Sequence, residues 1–321
     1  MNGRHRSYLL SLTAGVAVTA SVFSTQPTVA QDASNYYTVR HPEQFKTDWA
    51  GFYRQADAAT AEVRSATRHT LDLAYGSDVK QRLDLYFPAA ATSAAPVFLF
   101  FHGGGFREGD RAQYGFIAKS FTAHGIIAAI SSYRLTGEGF FYPAQRDDAA
   151  QAMTWVYRNI GRLGGDPGRI YLGGHSSGAI MVAELGTDRT WLRKASIAVQ
   201  ALRGIVAVSA PYDLRTPEEP EAKEVFWSGY VPTARLRGIA SPMLHIVDPV
   251  PVFYVAAGAT ENSGHDDYAS SSQTFVDKLR ARGVEAHVLI VPGAGHRDTV
   301  QALGDDHSEL FRSVLEMIDA R

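Results

Sequence analysis

The sequence predicts an α/β protein: a mostly parallel central sheet of about eight strands, with helices on both faces and a small lid. Three observations carry this expectation. Short, unbroken apolar runs recur along the chain, as strands buried on both faces require; Val97-Phe98-Leu99-Phe100-Phe101 is the purest of them. Segments of helical period lie between these runs. Their regular alternation is the pattern of a parallel sheet covered by helices on both sides.

In chain order, 48–66 reads as a helix, with Trp49, Phe52, Tyr53, Ala56 and Val63 close to a 3.6 spacing. Residues 71–75 and 83–87 alternate in period two around Gly76-Ser77-Asp78, a hairpin signal that adds an antiparallel edge. The runs 97–101, 126–130, 170–172, 205–208, 252–256 and 286–291 supply the other strands, and helical patterns fall at 112–124, 144–160, 177–185, 268–282 and 307–318. The stretch about 212–250 is the least regular, with Pro217, Pro220, Pro232, Pro242 and Pro249. It is expected to form a lid over the C-terminal edge of the sheet. The division expected is 1–30 as a leader, 31–68 as an N-terminal extension with its helix, and 69–321 as one catalytic domain.

Composition narrows the function. Among 321 residues, 45% are hydrophobic and 20% charged, which is ordinary globular usage. A formal net charge of −2 gives no basic field for nucleic acid or anionic lipid. With no cysteine, the chain has no disulfide, no thiolate metal site and no Cys nucleophile. No H-E-x-x-H or paired-His spacing suggests a metal, and no cofactor is called for. At the N-terminus, Arg4 and Arg6 precede an uncharged stretch at 8–23, and Thr28-Val29-Ala30 has the small-x-small form of a cleavage site. The expectation is a signal peptide cut before Gln31 and an exported protein, periplasmic or secreted, off the membrane once the signal is gone. The alternative is an uncleaved anchor, for which this run is short against the roughly 20 residues of a span.

Gly174-His175-Ser176-Ser177-Gly178 matches G-x-S-x-G between a strand and a helix. In that setting Ser176 sits on a tight turn as an exposed nucleophile, and the glycines avoid collision between strand and helix. His102-Gly103-Gly104-Gly105-Phe106 follows the strand at 97–101 directly. Its backbone amides at Gly104 and Gly105, joined by that of Ser177, are the expected oxyanion hole. His102 itself reads as a hydrogen bonder that steadies the loop. The acid should follow the strand at 252–256, where Glu261, Asp266 and Asp267 stand. Glu261 lies at the tight strand exit and is preferred, whereas Asp266 and Asp267 suit a helix cap. The base should follow the last strand, where the Gly-rich run 293–295 ends in His296; His307, at a helix start, is the rival. Phe106, Tyr142 and Trp227, with Phe140, Phe141, Phe226 and Tyr230, are candidates for an apolar substrate pocket or for core.

Together these residues resemble the carboxylesterases of the α/β-hydrolase fold, in the hormone-sensitive-lipase-like and kynurenine-formamidase-like branch. The matching pieces are His102 to Phe106, Tyr133-Arg134-Leu135, Tyr142-Pro143-Ala144, Asp147 or Asp148, Trp155, Gly164-Gly165-Asp166-Pro167 and Gly174 to Ala179. Residues 48–53, 81–86, Glu261 and Gly295 to Thr299 are similar to the formamidase-like branch in particular. Two positions depart from it: Phe106 stands where the family usually has Trp, and Glu261 where it often has Asp. The resemblance implies a cofactor-free serine hydrolase acting through Ser176, Glu261 and His296 on a small or aromatic carboxylic ester. Aryl-formamide or amide hydrolysis is the nearest alternative, and a non-catalytic binding protein on the same fold a further one.

Overall fold

The same strands feed two cores, because successive side chains of a strand point to opposite faces of the sheet. The computed structural model describes residues 49–90, 94–215, 229–247, 250–261 and 267–320. The expected signal peptide, the extension before Trp49, much of the lid, Phe226, Trp227 and Asp266 lie outside the described residues. Eight strands form one sheet: β1 (His69–Ala74), β2 (Arg82–Tyr86), β3 (Ala95–Phe101), β4 (Ile127–Ser131), β5 (Gly165–His175), β6 (Leu202–Val208), β7 (Val252–Gly258) and β8 (Ala286–Val291). Their spatial order is β1-β2-β4-β3-β5-β6-β7-β8. The β1–β2 and β2–β4 pairs are antiparallel and the remaining pairs parallel. The expected strand count and antiparallel edge are both present.

Nine helices accompany the sheet among the described residues: α1 (Trp49–Ala66), α2 (Ala118–Ala123), α3 (Ala144–Asn159), α4 (Ser177–Thr187), α5 (Thr190–Lys194), α6 (Ala234–Ile239), α7 (Tyr268–Ala281), α8 (His296–Leu303) and α9 (Glu309–Asp319). On one face Val97, Leu99, Phe101, Leu172, Ile205 and Val255 pack against α3, α4 and α7. On the other Phe98, Phe100, Ile130, Tyr171 and Val206 pack against α1, α2, α8 and α9. Phe98 stacks on Phe121 of α2 at 4.1 Å between centroids. Burying side chains of this size contributes about 1.5–3 kcal/mol each, so the two faces set the register of every strand. Every residue of α4 is buried, which is why its sequence (Ser-Gly-Ala-Ile-Met-Val-Ala) is apolar nearly all round. None of the described helices is long and apolar enough to cross a membrane.

Three expectations about elements are corrected. The helix expected at 112–124 is two short 3-10 turns (Arg111–Gln113 and Gly115–Ile117) followed by α2. Tyr114 ends the first turn there, and the Gly115 α-carbon lies so close to the Tyr86 hydroxyl and the Thr60 methyl that a Cβ would come within 2.4 and 2.6 Å of them. Strand β5 begins five residues before the apolar run at 170–172 and ends three after it. His296, expected at the end of a Gly-rich loop, is the first residue of helix α8.

Candidate active site

β5 delivers the nucleophile candidate. Ser176 follows its last residue with φ 55° and ψ −121°, a conformation L residues rarely adopt, and α4 starts at the next residue. The turn is held by the Ser176 amide donating to Val208 O at 2.8 Å and by Ala179 N donating to Ser176 O at 2.9 Å. The elbow glycines have a measurable cause. A Cβ on Gly178 would fall 2.2 Å from Phe101 O and 2.7 Å from His102 O, and one on Gly174 would fall 2.4 Å from Gly178 C and O. Strain at one residue of this kind costs of order 1–3 kcal/mol and persists only when its surroundings hold it.

The loop after β3 lies against that turn. A Cβ on Gly103 would sit 3.0 Å from Ser176 Cβ, so this loop borders the nucleophile. Gly104 (φ 118°) and Gly105 (φ 59°) take conformations closed to most side chains. Among the described residues, no backbone carbonyl accepts from either amide. Ser177 supplies the first amide of α4, whose macrodipole favours developing negative charge there, and its hydroxyl lies 3.2 Å from Tyr133 Oη. His102 is fully buried and donates from Nδ1 to Gly103 O at 2.7 Å, since a carbonyl can only accept. Burial pulls its pKa down to about 4, so it is neutral and steadies the loop as expected.

β7 and β8 bring the acid and base candidates together. Ala259 N donates to Val291 O at 2.9 Å, and Thr260 N to Ala294 O at 3.0 Å, zipping the two strand exits side by side. Glu261, nearly fully buried, reaches His296 Nδ1 with Oε2 at 3.4 Å. A carboxylate only accepts, so Nδ1 carries the proton and Nε2 is left as the basic nitrogen. His296 is the first residue of α8, whose start is fixed by Gly295 N donating to Asp298 Oδ2 at 2.8 Å. Asp267 caps α7 by accepting from Ser270 N at 3.0 Å. His307 is largely exposed, its Nε2 lying 3.6 Å from Asp306 Oδ1.

The sheet order, a strained Ser at a β5–α4 turn and a glycine loop at its side are together the architecture of one fold, and known proteins agree. Among solved structures, a carbohydrate esterase from gut microbiota superposes with a TM-score of 0.68 at 18% identity, over 79% of this chain and 95% of that one. The carboxylesterase family model matches residues 40–190. This chain has the α/β-hydrolase fold and is similar to the carboxylesterases. An isoprenylcysteine alpha-carbonyl methylesterase of Arabidopsis thaliana is 28% identical over 273 residues, 77% of this chain and 61% of that protein. The chain thus spans about three fifths of that relative and of a second plant one. A kynurenine formamidase of Danio rerio is 22% identical over 262 residues, 81% of this chain and 86% of that protein.

Several site residues of this α/β-hydrolase were not singled out from sequence. Ser209, just past β6 with φ 59°, donates to Glu261 Oε1 at 2.6 Å. Thr299 of α8 lies 3.2 Å from the same oxygen and 2.8 Å from Ser209 Oγ, and Gly258 N donates to it at 3.1 Å. One carboxylate oxygen is thereby held from three elements while the other faces His296. His175 donates from Nε2 to His296 O at 2.9 Å, with the two rings 4.5 Å apart. Burial and the nearby His296 hold its pKa well below the usual range. The only sequence signal for these groups was their place beside motif residues. The structure also sorts the pocket candidates. Phe106 exposes no surface and stacks on Tyr230 at 3.5 Å, so it is core behind the glycine loop. Tyr142 is nearly buried and donates its hydroxyl to Glu184 at 2.6 Å. Phe140 lies under the Arg134 guanidinium, and Phe141 is exposed.

Proposed function

We propose that this protein is a serine hydrolase of small or aromatic carboxylic esters, with Ser176 as nucleophile, His296 as general base and Glu261 as the acid that orients it. The observation that carries the proposal is the joining of three loops. Glu261 meets His296 Nδ1, and the backbone of His296 is held by His175, the neighbour of the strained Ser176.

In this mechanism His296 Nε2 takes the Ser176 hydroxyl proton as Oγ bonds to the acyl carbon. Negative charge moves to the carbonyl oxygen and is met by the amides of Gly104, Gly105 and Ser177. One donor of this type is worth roughly 3–4 kcal/mol of barrier. The imidazolium, stabilised by Glu261, gives its proton to the departing alcohol oxygen as the C–O bond breaks, leaving an ester on Ser176. Water, deprotonated by the same nitrogen, attacks that ester. The proton then returns to Ser176 Oγ as the acid leaves. The protein's own side chains account for each of these proton transfers.

An aryl-formamidase or amidase activity is the second reading, favoured by the formamidase relative matched over most of its length. The proposal includes export before catalysis, on the strength of the leader-like residues 1–30; N-terminal sequencing of the exported form should start at Gln31, and an intact Met1 would defeat it. The activity test compares wild type with Ser176→Ala on 4-nitrophenyl esters of increasing acyl length, a feruloyl ester and an N-formyl anilide. Ester turnover abolished by the substitution supports the proposal, and preference for the anilide promotes the second reading. Equal turnover in both proteins removes Ser176 from the chemistry, and no turnover in either favours a binding protein on this fold.

A further inference from the structure

Glu108 is a carboxylate that the chemistry above does not use. It follows the glycine loop, and its Cγ lies 3.0 Å from where a Gly104 Cβ would be. Among the described residues its side chain has no hydrogen-bond or ion-pair partner; burial is the single influence on its acidity and pushes its pKa up to about 7. The cationic neighbour in sequence, Arg107, has its guanidinium close to Gly229. An acid that is mostly desolvated and uncompensated costs stability unless something outside the chain completes it.

A chain of contacts leads from Glu108 to the elements around the nucleophile. Its charge acts on Tyr114, and Tyr114 is hydrogen-bonded to Tyr53 of α1. Tyr53 packs on Trp49 at 6.2 Å, and Trp49 meets the His296 ring edge-on at 6.1 Å. His296 is joined to the elbow through His175, and the elbow touches the glycine loop at Gly103. The N-terminal helix therefore walls the imidazole side of the site with electron-rich rings, and the loop adds one unpaired carboxylate. The imidazole hands its proton to the leaving alcohol, so groups gathered about it border the alcohol and not the acyl chain. Aromatic faces together with a carboxylate are the combination that receives an organic cation.

We infer that the space bounded by Glu108, Trp49 and His296 is the subsite for the alcohol portion of the ester, and that it selects a leaving group bearing a positive charge. The inference rests on the serine-hydrolase reading and adds to it the class of alcohol. Glu108 is its specificity-determining residue, and Trp49 supplies the aromatic wall.

The test uses two acetates of the same shape, 3-(trimethylammonio)phenyl acetate and the neutral 3-tert-butylphenyl acetate, with the purified protein. The quantity read is the ratio of their kcat/KM values, in wild type and in Glu108→Gln. Comparing proteins cancels the different intrinsic reactivity of the two phenols. The ratio should fall about tenfold in Glu108→Gln, the size expected for one partly desolvated cation site. A change under about twofold overturns the inference. A second arm needs no variant. The ratio in wild type should rise between about pH 5.5 and about pH 8.5 as Glu108 ionises, since the quaternary ammonium keeps its charge throughout. Tyr114, on which the Glu108 charge acts, is held above its ordinary range, and His102 at the start of the same loop is held down at about 4. Asp110 is held below its ordinary range, so none of the three changes charge in that window. His296 acts on both substrates alike. A flat ratio overturns the inference even if Glu108→Gln misfolds. Turnover of both esters with an unchanged ratio leaves the serine-hydrolase reading standing and removes this inference alone. Turnover of neither removes both.

Discussion

Replacing Ser209 by Ala should cost about tenfold in kcat/KM while leaving the fold intact. The Ser209 hydroxyl donates to Glu261 Oε1 at 2.6 Å, the shortest of the three contacts to that oxygen. A hydrogen bond to a charged group contributes roughly 1.5–3 kcal/mol. Thr299 and the Gly258 amide stay in place and can recover part of it, leaving a loss of about 1.4 kcal/mol, which is tenfold. The loss reaches the rate because the Glu261–His296 contact is already long at 3.4 Å, so a carboxylate free to rotate aligns the imidazole less often. Ser209 also sits at φ 59°, which lets the hydroxyl be separated from the backbone. Ser209→Gly lacks the hydroxyl too but relieves roughly 1 kcal/mol of left-handed strain. Both variants should lose rate equally on 4-nitrophenyl acetate, while thermal melts place Ser209→Gly above Ser209→Ala. Ser209→Ala within about twofold of wild type, or Ser209→Gly keeping its rate while Ser209→Ala loses it, would refute the reasoning.

Three further outcomes follow from the same geometry. Glu261→Gln should lower kcat by a factor on the order of 10³–10⁴, because an amide there can impose the wrong imidazole tautomer; Glu261→Asp should recover part of the rate, and equal rates for the two variants would exclude a charge role. Gly178→Ala should disturb both the elbow and the glycine loop, since the new Cβ would meet Phe101 O at 2.2 Å; a loss of about 1–3 kcal/mol in denaturant unfolding is expected, and none would mean the turn is looser than described. Glu184 is almost wholly buried, and burial pushes its carboxyl up to about 7 from 4.5 despite Tyr142 and Arg146. A raised folded pKa means that the native state keeps a proton the unfolded chain releases, so stability falls as pH rises from about 4.5 to about 7, by about 3 kcal/mol in all. Glu184→Gln should lack that fall, so its melting temperature should gain on wild type by several degrees across this window; parallel curves would contradict the assignment.

Much of the architecture was legible because strands buried on both faces must be apolar at every position. The runs at 97–101 and 252–256 therefore announce β3 and β7 with little else needed. The elbow was legible for a steric reason, since only glycine fits where the backbones of Gly174, Gly178 and Phe101 converge. Glu261 was readable from its distance past β7, and the hydrogen bond to His296 is what the structure adds. What the sequence withheld depends on contacts between distant segments. Ser209 and Thr299 lie 52 and 38 residues from Glu261, and neither stands in a pattern that marks it. Phe106 and Tyr230 read as pocket candidates because aromatic residues suit pockets and cores alike; their mutual stacking decides for the core. The helix at 112–124 failed because periodicity does not report that Gly115 must pass within van der Waals contact of Tyr86 and Thr60.

The central claim is that Ser176 becomes covalently acylated, and a mechanism-based label tests it most directly. The protein would be incubated with a 4-nitrophenyl dialkyl phosphate, digested and analysed by mass spectrometry, with released 4-nitrophenol counted in parallel. The account predicts one phosphoryl group per chain, on the peptide that carries Ser176, appearing in step with loss of ester hydrolysis and absent from Ser176→Ala. A label on another residue that tracks the loss of activity, or ester hydrolysis that persists with Ser176 fully modified, would contradict it.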